Sequence, residues 1–403
     1  MKRIISVNKV GILTFWEFPE GMAPTTRILA YSKGMVNHGA EVEIFSFRRI
    51  FYSEFLKENA EMGGKYQGVS YSYIHIFSDR SQYNKFFRIF DEITLRYKLL
   101  IKVIKSHRIR KFNLFLFSFD DVYSLGAYCR LFKLFSFPVF FVADEFPIPI
   151  RDFMLESVPN DLMNRYTKFQ RFFKGRVLMS NALKNFYDQN SFRLPTFILN
   201  TIVDSDRFKN FKPISGPDYI CYMGNMSLKK DNVDIIIRAF SLIADKYKSL
   251  ELHLYGMPNL EDKLLLENLI NDLNLHSRVF IKGRISNNNV PSVLKSAKIC
   301  VNSQPITKRA EGGFPTKLGE YLLTGVPSLF TDSGDIGFFV KNEIHTFLVS
   351  PENPIEFSGK LDYILSNYDE ALKVAEDGRS FIAEQYSANV QTAKLLDFFK
   401  SNI

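Results

Sequence analysis

Residues 10–47 read VGILTFWEFPEGMAPTTRILAYSKGMVNHGAEVEIFSF, and this stretch decides the fold. A short apolar run, Val10 to Trp16, leads into a loop, FPEGMAPTTR, that holds Gly21 and two prolines. Helical sequence follows from about Thr26 to Asn37, Gly39 ends it, and Glu41 to Phe47 reads as a strand. Strand, turn-rich loop, helix, glycine and strand make a βαβ unit. Two further apolar runs, LFLFSF (114–119) and PVFFVA (138–143), have helical sequence between them and continue a parallel sheet.

The second half restarts the pattern. Tyr219 to Met223 reads as a strand ending in Gly224, and Val233, Ile236, Ile237, Phe240 and Ile243 then recur at helical spacing. Leu250, Leu252 and Leu254 alternate with polar residues as in a strand that closes at Gly256. A leucine-rich helix (261–273), strands at 279–283 and 298–303, a helix at 315–323 and strands at 326–331 and 345–350 come next, and three helical stretches finish the chain. At about 150 residues per domain, 403 residues allow two large domains. The pattern therefore predicts an α/β protein of two doubly wound, Rossmann-like domains. The boundary is expected in the polar stretch RFKNFKPISGP, giving domains 1–208 and 209–385, with a helix over 386–403 packing back on the first.

Composition narrows the classes. Hydrophobic residues make up 46% and charged ones 24%, which excludes a disordered or fibrous chain. No run approaches the ~18 apolar residues of a membrane-spanning helix. Asn8 and Lys9 break the apolar start, against a signal peptide. Cys129, Cys221 and Cys300 are far apart, which predicts reduced thiols and a cytoplasmic location. The net charge of +9 is uneven: residues 1–210 hold 31 Lys/Arg against 20 Asp/Glu. The basic half is expected to meet something anionic, with plain solubility as the alternative. No nucleic-acid-binding module is recognisable, so nucleic acid is not an expected partner.

In open α/β sheets, ligands bind beyond the carboxyl ends of strands, at loops entering helices. The most informative loop is EGGFPTKLGEYLLTGVP, residues 311–327. Gly312 and Gly313 allow close backbone approach, Pro315 suits a helix start and Gly325 a helix end. Amides around Phe314 to Lys317 would point at an anion, with Lys317 adding charge. Glu320 lies on the same face as Thr316 and can accept bonds from both hydroxyls of a ribose; an exposed glutamate on an ordinary helix is the alternative. A second loop, YMGNMSLKKDNVD (222–234), sets Lys229 and Lys230 after Gly224, where a lysine can neutralise a diphosphate. Neither a dinucleotide fingerprint nor a P-loop occurs.

These residues resemble a family 4 glycosyltransferase, a retaining, nucleotide-sugar-dependent enzyme of the GT-B architecture, whose two Rossmann-like domains face each other across a cleft. The resemblance covers nearly the whole length and is most specific in GFPTKLGEYLLTGVPSLFT (313–331), similar to the family's donor loop. It extends to YMGNMSLKKDNVDIIIRAF (222–240), LNTIVDSDRF (199–208) and residues 21–46. It implies that Lys230 is the phosphate lysine, that Glu320 holds the ribose, that Thr316 meets the diphosphate, and that Gly21 and Gly224 line phosphate loops. Two departures stand out. The family's first glutamate would fall at Gly312, so either Glu311, one step earlier, reaches the donor sugar or the contact is lost. The arginine usual after the phosphate-loop glycine is absent, and Arg284, after a strand, is either its substitute or a contact to the base.

The resemblance also implies an acceptor in the first domain, a glycan or lipid-linked pyrophosphate of bacterial surface polysaccharide synthesis, and no metal. Asp144 and Glu145, ending a strand, are the acceptor-side residues, with a capped turn before two prolines as the alternative. Asp120 and Asp121 read as a helix cap. Asp204-Ser205-Asp206 reads as a turn, and the six scattered histidines as mostly surface or turn residues. A non-catalytic binding subunit with a drifted donor loop is the competing reading. Segment 85–111 holds nine Lys/Arg against two acids. Phe86, Phe87, Ile89 and Phe90 beside Lys85 and Arg88, with Leu99, Leu100 and Val103 among Lys98, Lys102 and Lys105, would suit a shallow anchor at an anionic membrane surface. Ordinary helix core is the alternative.

Overall fold

The computed structural model describes residues 7–47, 63–73, 85–118, 122–147, 150, 164, 167–209, 211 and 214–403. The chain forms two compact units, Met1–Ile202 with Ala388–Ile403, and Val203–Ser387. The division falls a few residues before the expected 208/209 boundary. The reason is local: the Val203 N–H donates to the Tyr386 carbonyl at 3.0 Å, and the turn Ser205–Phe208 is tied to a helix of the second unit.

The first unit runs β1 (Lys9–Thr14), α1 (Ala23–Asn37), β2 (Glu41–Ser46), β3 (Gly63–Tyr66), β4 (Val69–Tyr73), α2 (Lys85–Arg110), β5 (Leu114–Ser118), α3 (Val122–Leu134), β6 (Val139–Ala143), β7 (Gly175–Leu178), α4 (Asn181–Asn190) and β8 (Thr196–Ile198). Its sheet has the order β3-β4-β2-β1-β5-β6-β7-β8, parallel except for the β3–β4 hairpin. Gly11 has no side chain because the Phe115 ring of β5 lies across it, where a Cβ would come within 2.3 Å. Much of the phenylalanine excess fills this core: Phe115 meets Phe112, Phe132 and Phe137 at ring separations of 4.9–5.2 Å. Gly39 (φ +83°) closes α1. The C-terminal helix, Ala388–Asn402, packs on α1 at Gly34, where a Cβ would meet Thr392 Oγ1 at 2.5 Å and the Ala388 carbonyl at 2.6 Å.

Helix α2 corrects part of the lipid-anchor expectation. Leu99 and Val103 are buried, and the same face carries Arg110, whose Nε lies 3.2 Å from Glu43 on β2. Ser106 donates to that carboxylate as well. Helical geometry turns the other side outward, so Phe90 (66% exposed), Tyr97 (65%) and Ile101 (52%) form the solvent stripe, beside exposed Lys98, Lys105 and Arg108. The side chains of Lys85, Phe86, Phe87, Arg88 and Ile89, and both Asp120 and Asp121, lie outside the described residues. Among the described residues no helix is long and apolar enough to cross a membrane.

The second unit runs β9 (Tyr219–Met223), α5 (Leu228–Asp231), α6 (Val233–Ile243), β10 (Glu251–Tyr255), α7 (Leu260–Asp272), β11 (Val279–Gly283), α8 (Val290–Ser296), β12 (Ile299–Asn302), α9 (Lys308–Gly312), α10 (Lys317–Thr324), β13 (Ser328–Thr331), α11 (Ile336–Phe339), β14 (Phe347–Val349), α12 (Pro354–Ser366) and α13 (Tyr368–Tyr386). Its sheet is wholly parallel, in the order β11-β10-β9-β12-β13-β14. Ile220, Leu252, Leu254 and Val301 pack against Val233, Ile236, Ile237 and Phe240 of α6, the residues whose spacing marked the helix. Cys129, Cys221 and Cys300 are free and buried, and burial pushes the Cys129 thiol up to about 12.

Candidate functional site

Strand order in the second unit reverses between β9 and β12, and a doubly wound sheet opens a crevice at that point beyond its strand ends. Backbone dominates the rim. The Gly224 N–H donates to the Tyr255 carbonyl and the Gly256 N–H to the Gly283 carbonyl, both at 2.9 Å. A Cβ on Gly256 (φ +145°) would fall 1.7 Å from the Gly224 oxygen, so the two strand ends meet where only glycine fits. Arg284 follows Gly283 on the edge strand and is exposed, with β10 between it and Gly224.

Lys317, at the start of α10, reaches back over Gly224. A Cβ there would lie 2.7 Å from Lys317 Nζ and 2.3 Å from the Tyr222 hydroxyl. The ammonium sits 4.6 Å from the Tyr222 ring centroid and 3.1 Å from Asp231 Oδ1, and Asp231 is buried. Burial lowers the lysine's pKa; Asp231 pulls it back up and Lys230 presses it further down. Lys230, in α5, is half-buried.

The donor loop follows β12. Thr307 caps α9 by accepting from the Ala310 N–H at 3.2 Å, and Gly313 N–H donates to the Arg309 carbonyl at 2.9 Å. Gly312, Gly313, Phe314 and Pro315 are buried, with the Phe314 ring 4.8 Å from Phe339. Glu311 instead points outward, half-exposed, its carboxylate 2.6 Å from Lys308. Helix α10 has no side-chain cap: the Thr316 hydroxyl does not close its N-terminus. The eight-residue helix thus presents an uncapped positive end at the switch point, beside Lys317.

One turn into α10, Glu320 Oε1 is 2.5 Å from Arg207 Nη1, and Arg207 Nη2 donates to the Asn287 carbonyl at 3.2 Å. The next residue, Tyr321, accepts from the Met223 N–H at 2.9 Å and so pins α10 to the end of β9. Asp231, Arg207 and Tyr321 were not among the residues singled out from the sequence. Only Asp231 had a local signal, standing directly after the lysine pair.

Gly21, Asp144 and Glu145 belong to the first unit. The Gly21 turn is tight, with Thr25 Oγ1 donating to the Glu17 carbonyl at 2.6 Å. Asp144 lies 3.1 Å from Arg27 Nε, and buried Arg27 also donates to the carbonyls of Asn200 (3.2 Å) and Leu199. Burial raises the Asp144 carboxyl, Arg27 opposes this and Glu145 adds to it. Asp144 is thus the partner of an arginine that ties α1 to the chain after β8. The Asp204-Ser205-Asp206 stretch starts a 3-10 turn, Asp204 accepting from the Asp206 N–H and Asp206 pairing with Lys209 at 2.7 Å. Of the five described histidines, His38 and His276 are exposed in turns and His345 also lies in a turn, as expected, while His107 and His253 sit in a helix and a strand. His253 stacks on Tyr219 at 4.3 Å and is buried, His345 stacks on Phe381 at 4.2 Å, and His107 lies 4.6 Å from Phe137. Aromatic packing accounts for their places.

Two parallel, doubly wound α/β units are the fold of GT-B glycosyltransferase structures. Residues 204–381 match the family Glycosyl transferases group 1, so the second unit carries a domain of that kind. The chain is 24% identical over 181 residues to a poly(ribitol-phosphate) alpha-N-acetylglucosaminyltransferase of Staphylococcus aureus (strain COL), a match covering 42% of this chain and 33% of that protein. It thus spans between a third and two-fifths of the curated relatives it matches, 33% and 41% of their lengths. Among solved structures it is similar to a sucrose-phosphate synthase from Thermosynechococcus elongatus (TM-score 0.75, 12% identity, 98% of both chains). It is also similar to the Anabaena protein HepE in complex with UDP and glucose (TM-score 0.72, 13% identity, 97% of this chain and 99% of that one). At such identities the likeness is one of fold.

Proposed function

We propose that the chain is a retaining, family 4 glycosyltransferase that moves a sugar from a nucleotide sugar to a glycan or lipid-linked pyrophosphate acceptor in bacterial surface polysaccharide synthesis. The observation that carries the reading is the uncapped start of α10 at the β9/β12 switch point, with Lys317 over Gly224 and Glu320 one turn further in. In this reading the helix amides, Lys317 and Lys230 stabilise charge growing on the departing nucleoside diphosphate, the largest electrostatic demand of the reaction. Glu320 accepts from the ribose hydroxyls, Gly312 to Thr316 pass their backbone close to the diphosphate and sugar, and Arg284 approaches the base. No metal is assigned a role, since these groups meet the charge. Gly21 lines a phosphate loop, and Asp144 and Glu145 belong to the acceptor side. A phosphate oxygen of the leaving group takes the acceptor's proton.

Release of nucleoside diphosphate from a panel of UDP-, GDP- and ADP-sugars tests the reading, with the anomeric configuration of the product read by NMR. Release from one donor class with retention is expected, and inversion would refute the retaining assignment. Failure to release from any donor, alongside nucleotide binding, would favour a non-catalytic binding subunit. That second reading draws on Gly312 standing where the family has a glutamate, and on Glu311 being paired outward with Lys308.

The proposal extends to place. The solvent stripe Phe90, Tyr97 and Ile101, flanked by Lys98, Lys105 and Arg108, suits a peripheral seat on an anionic leaflet at the cytoplasmic face. Each cation near such a surface contributes ~1 kcal/mol.

A further inference from the structure

We infer that Arg207 is the positioning residue for Glu320 and thereby sets how strongly the site prefers a ribose diol. The inference rests on the donor-site reading above and deepens it. Arg207 lies in the turn Ser205–Phe208, 113 positions from Glu320 in sequence, yet its Nη1 is 2.5 Å from Glu320 Oε1. The turn that presents it is fixed from several sides. Val203 is hydrogen-bonded to Tyr386, Asp204 accepts from the Asp206 N–H, and the Phe208 side chain is buried. Asp206, the acid nearest Arg207 in the chain, is taken by Lys209 at 2.7 Å. The second nitrogen, Nη2, is anchored on the Asn287 carbonyl at 3.2 Å, so the guanidinium plane is held at two points.

The consequence for Glu320 follows from carboxylate geometry. Its Oε1 gives one lone pair to Arg207, while Oε2 makes no hydrogen bond or ion pair among the described residues. A carboxylate gripped at one oxygen is held in place and loses torsional freedom, and its remaining lone pairs are left to accept from the hydroxyls of a vicinal diol. Without that grip, glutamate has three side-chain torsions to order on each binding event. Arg207 touches no nucleotide in this account and acts only through Glu320. Its loss should therefore be felt by ligands that carry the diol and ignored by ligands that lack it.

The test measures affinity for UDP and GDP beside their 2′,3′-dideoxy counterparts, by calorimetry, in the full-length wild type, Arg207→Ala, Arg207→Lys and Glu320→Ala. The expected result is a fall of about tenfold in Arg207→Ala for the ribonucleotide that the wild type prefers. The dideoxy form should change less than about threefold, and Arg207→Lys should recover part of the preference. Equal losses for both sugars would overturn the inference, since a damaged fold or a lost phosphate contact would do that. Tighter ribonucleotide binding in Arg207→Ala would overturn it too, making Arg207 a competitor for Glu320. Should Arg207→Ala fail to give a cooperative thermal transition, Arg207→Lys decides alone: an unchanged ribo-to-dideoxy ratio overturns, a reduced one supports. A wild type that binds no nucleoside diphosphate would sink the donor-site reading together with this one. A wild type that prefers ribose, with an unchanged ratio in the Arg207 variants, would sink only this one.

Discussion

Replacing Asp231 by asparagine should destabilise the ligand-free protein and make its stability depend more strongly on alkaline pH. The Lys317 ammonium is 17% exposed and the Asp231 carboxylate 3%, at 3.1 Å. At an effective dielectric of ~20 the gross attraction is roughly 5 kcal/mol. Removing one partner of a buried pair costs ~3–5 kcal/mol, because the other charge stays desolvated, and Lys317's residual exposure argues for the lower end. About 3 kcal/mol corresponds to a fall in Tm of roughly 6–12 °C for a unit of this size. The sign with pH follows from the lowered pKa of Lys317. Between its folded value and the higher unfolded one, the unfolded chain binds more protons, so stability rises with pH across that window. The asparagine variant lowers the folded value further and widens the window toward neutrality. Urea titrations of wild type and Asp231→Asn at several pH values from neutral to about 10 measure this. The variant should be weakest at neutral pH and recover part of its deficit as pH rises. If the variant matched the wild type at neutral pH, or its deficit grew as the pH rose, the assignment of Asp231 as the partner of a buried ammonium would be wrong.

Glu320→Ala should weaken binding of the preferred nucleoside diphosphate by roughly ten- to hundredfold, the worth of hydrogen bonds to a charged group, and unchanged affinity in calorimetry would dismiss a ribose role. Glu311→Ala should leave Tm within about 4 °C, because an exposed pair contributes ~0–1 kcal/mol, while turnover falls if the carboxylate reaches the donor sugar; unchanged turnover would remove Glu311 from the site. Gly34→Val should lower stability by ~1–3 kcal/mol or more by forcing the C-terminal helix off α1, and a Tm equal to wild type would contradict the close approach there. Charge reversal at Lys98, Lys105 and Arg108 should abolish salt-sensitive co-sedimentation with anionic vesicles, and wild type that stays in the supernatant with such vesicles at low salt would remove the membrane claim.

How much of this was legible in sequence depended on whether the signal was local. Val10 to Phe47 could be read because one strand, one helix and one glycine stop lie in line, and the second half repeats that grammar. Strands β7 and β8 were missed because each is short, and β7 holds Arg176. That arginine is fully buried by pairing with Asp188 at 3.0 Å and Gln170 at 2.9 Å, which no pattern of apolar residues announces. The β3–β4 hairpin, GGKY and VSYSY, offered little apolar alternation to find. In the site, glycines and lysines at strand ends were readable because backbone geometry restricts them. Their partners were not: Arg207 meets Glu320 across 113 positions, Lys317 meets Asp231 across 86, and Tyr321 meets Met223 across 98. Such pairs exist only once the sheet has brought its strand ends together. On α2, Leu99 and Val103 turn inward on the face that also carries the polar ties to Glu43, while Phe90 stays exposed; the composition of the segment did not say which side would meet the sheet.

The ion pairs of the second unit differ in burial, and that difference divides the labour of the proposed site. Lys317 and Asp231 are 17% and 3% exposed, Arg207 and Glu320 20% and 25%, Lys308 and Glu311 47% and 48%. Separating the first pair strands a buried charge, so Lys317 stays where Asp231 and the Tyr222 ring hold it and an anion must come to the lysine. Separating the last pair costs little more than side-chain entropy, so Glu311 can leave Lys308. The middle pair stands between these extremes: the carboxylate keeps its arginine and offers its other oxygen. In the proposed reading the diphosphate would be met by fixed charges, which need no reorganisation as leaving-group charge develops. The sugar would be met by a movable one. A nine-residue spacing between Glu311 and Glu320, one longer than the family's pattern, is tolerable on this account because the displaced glutamate is the one residue of the set whose pairing does not fix it.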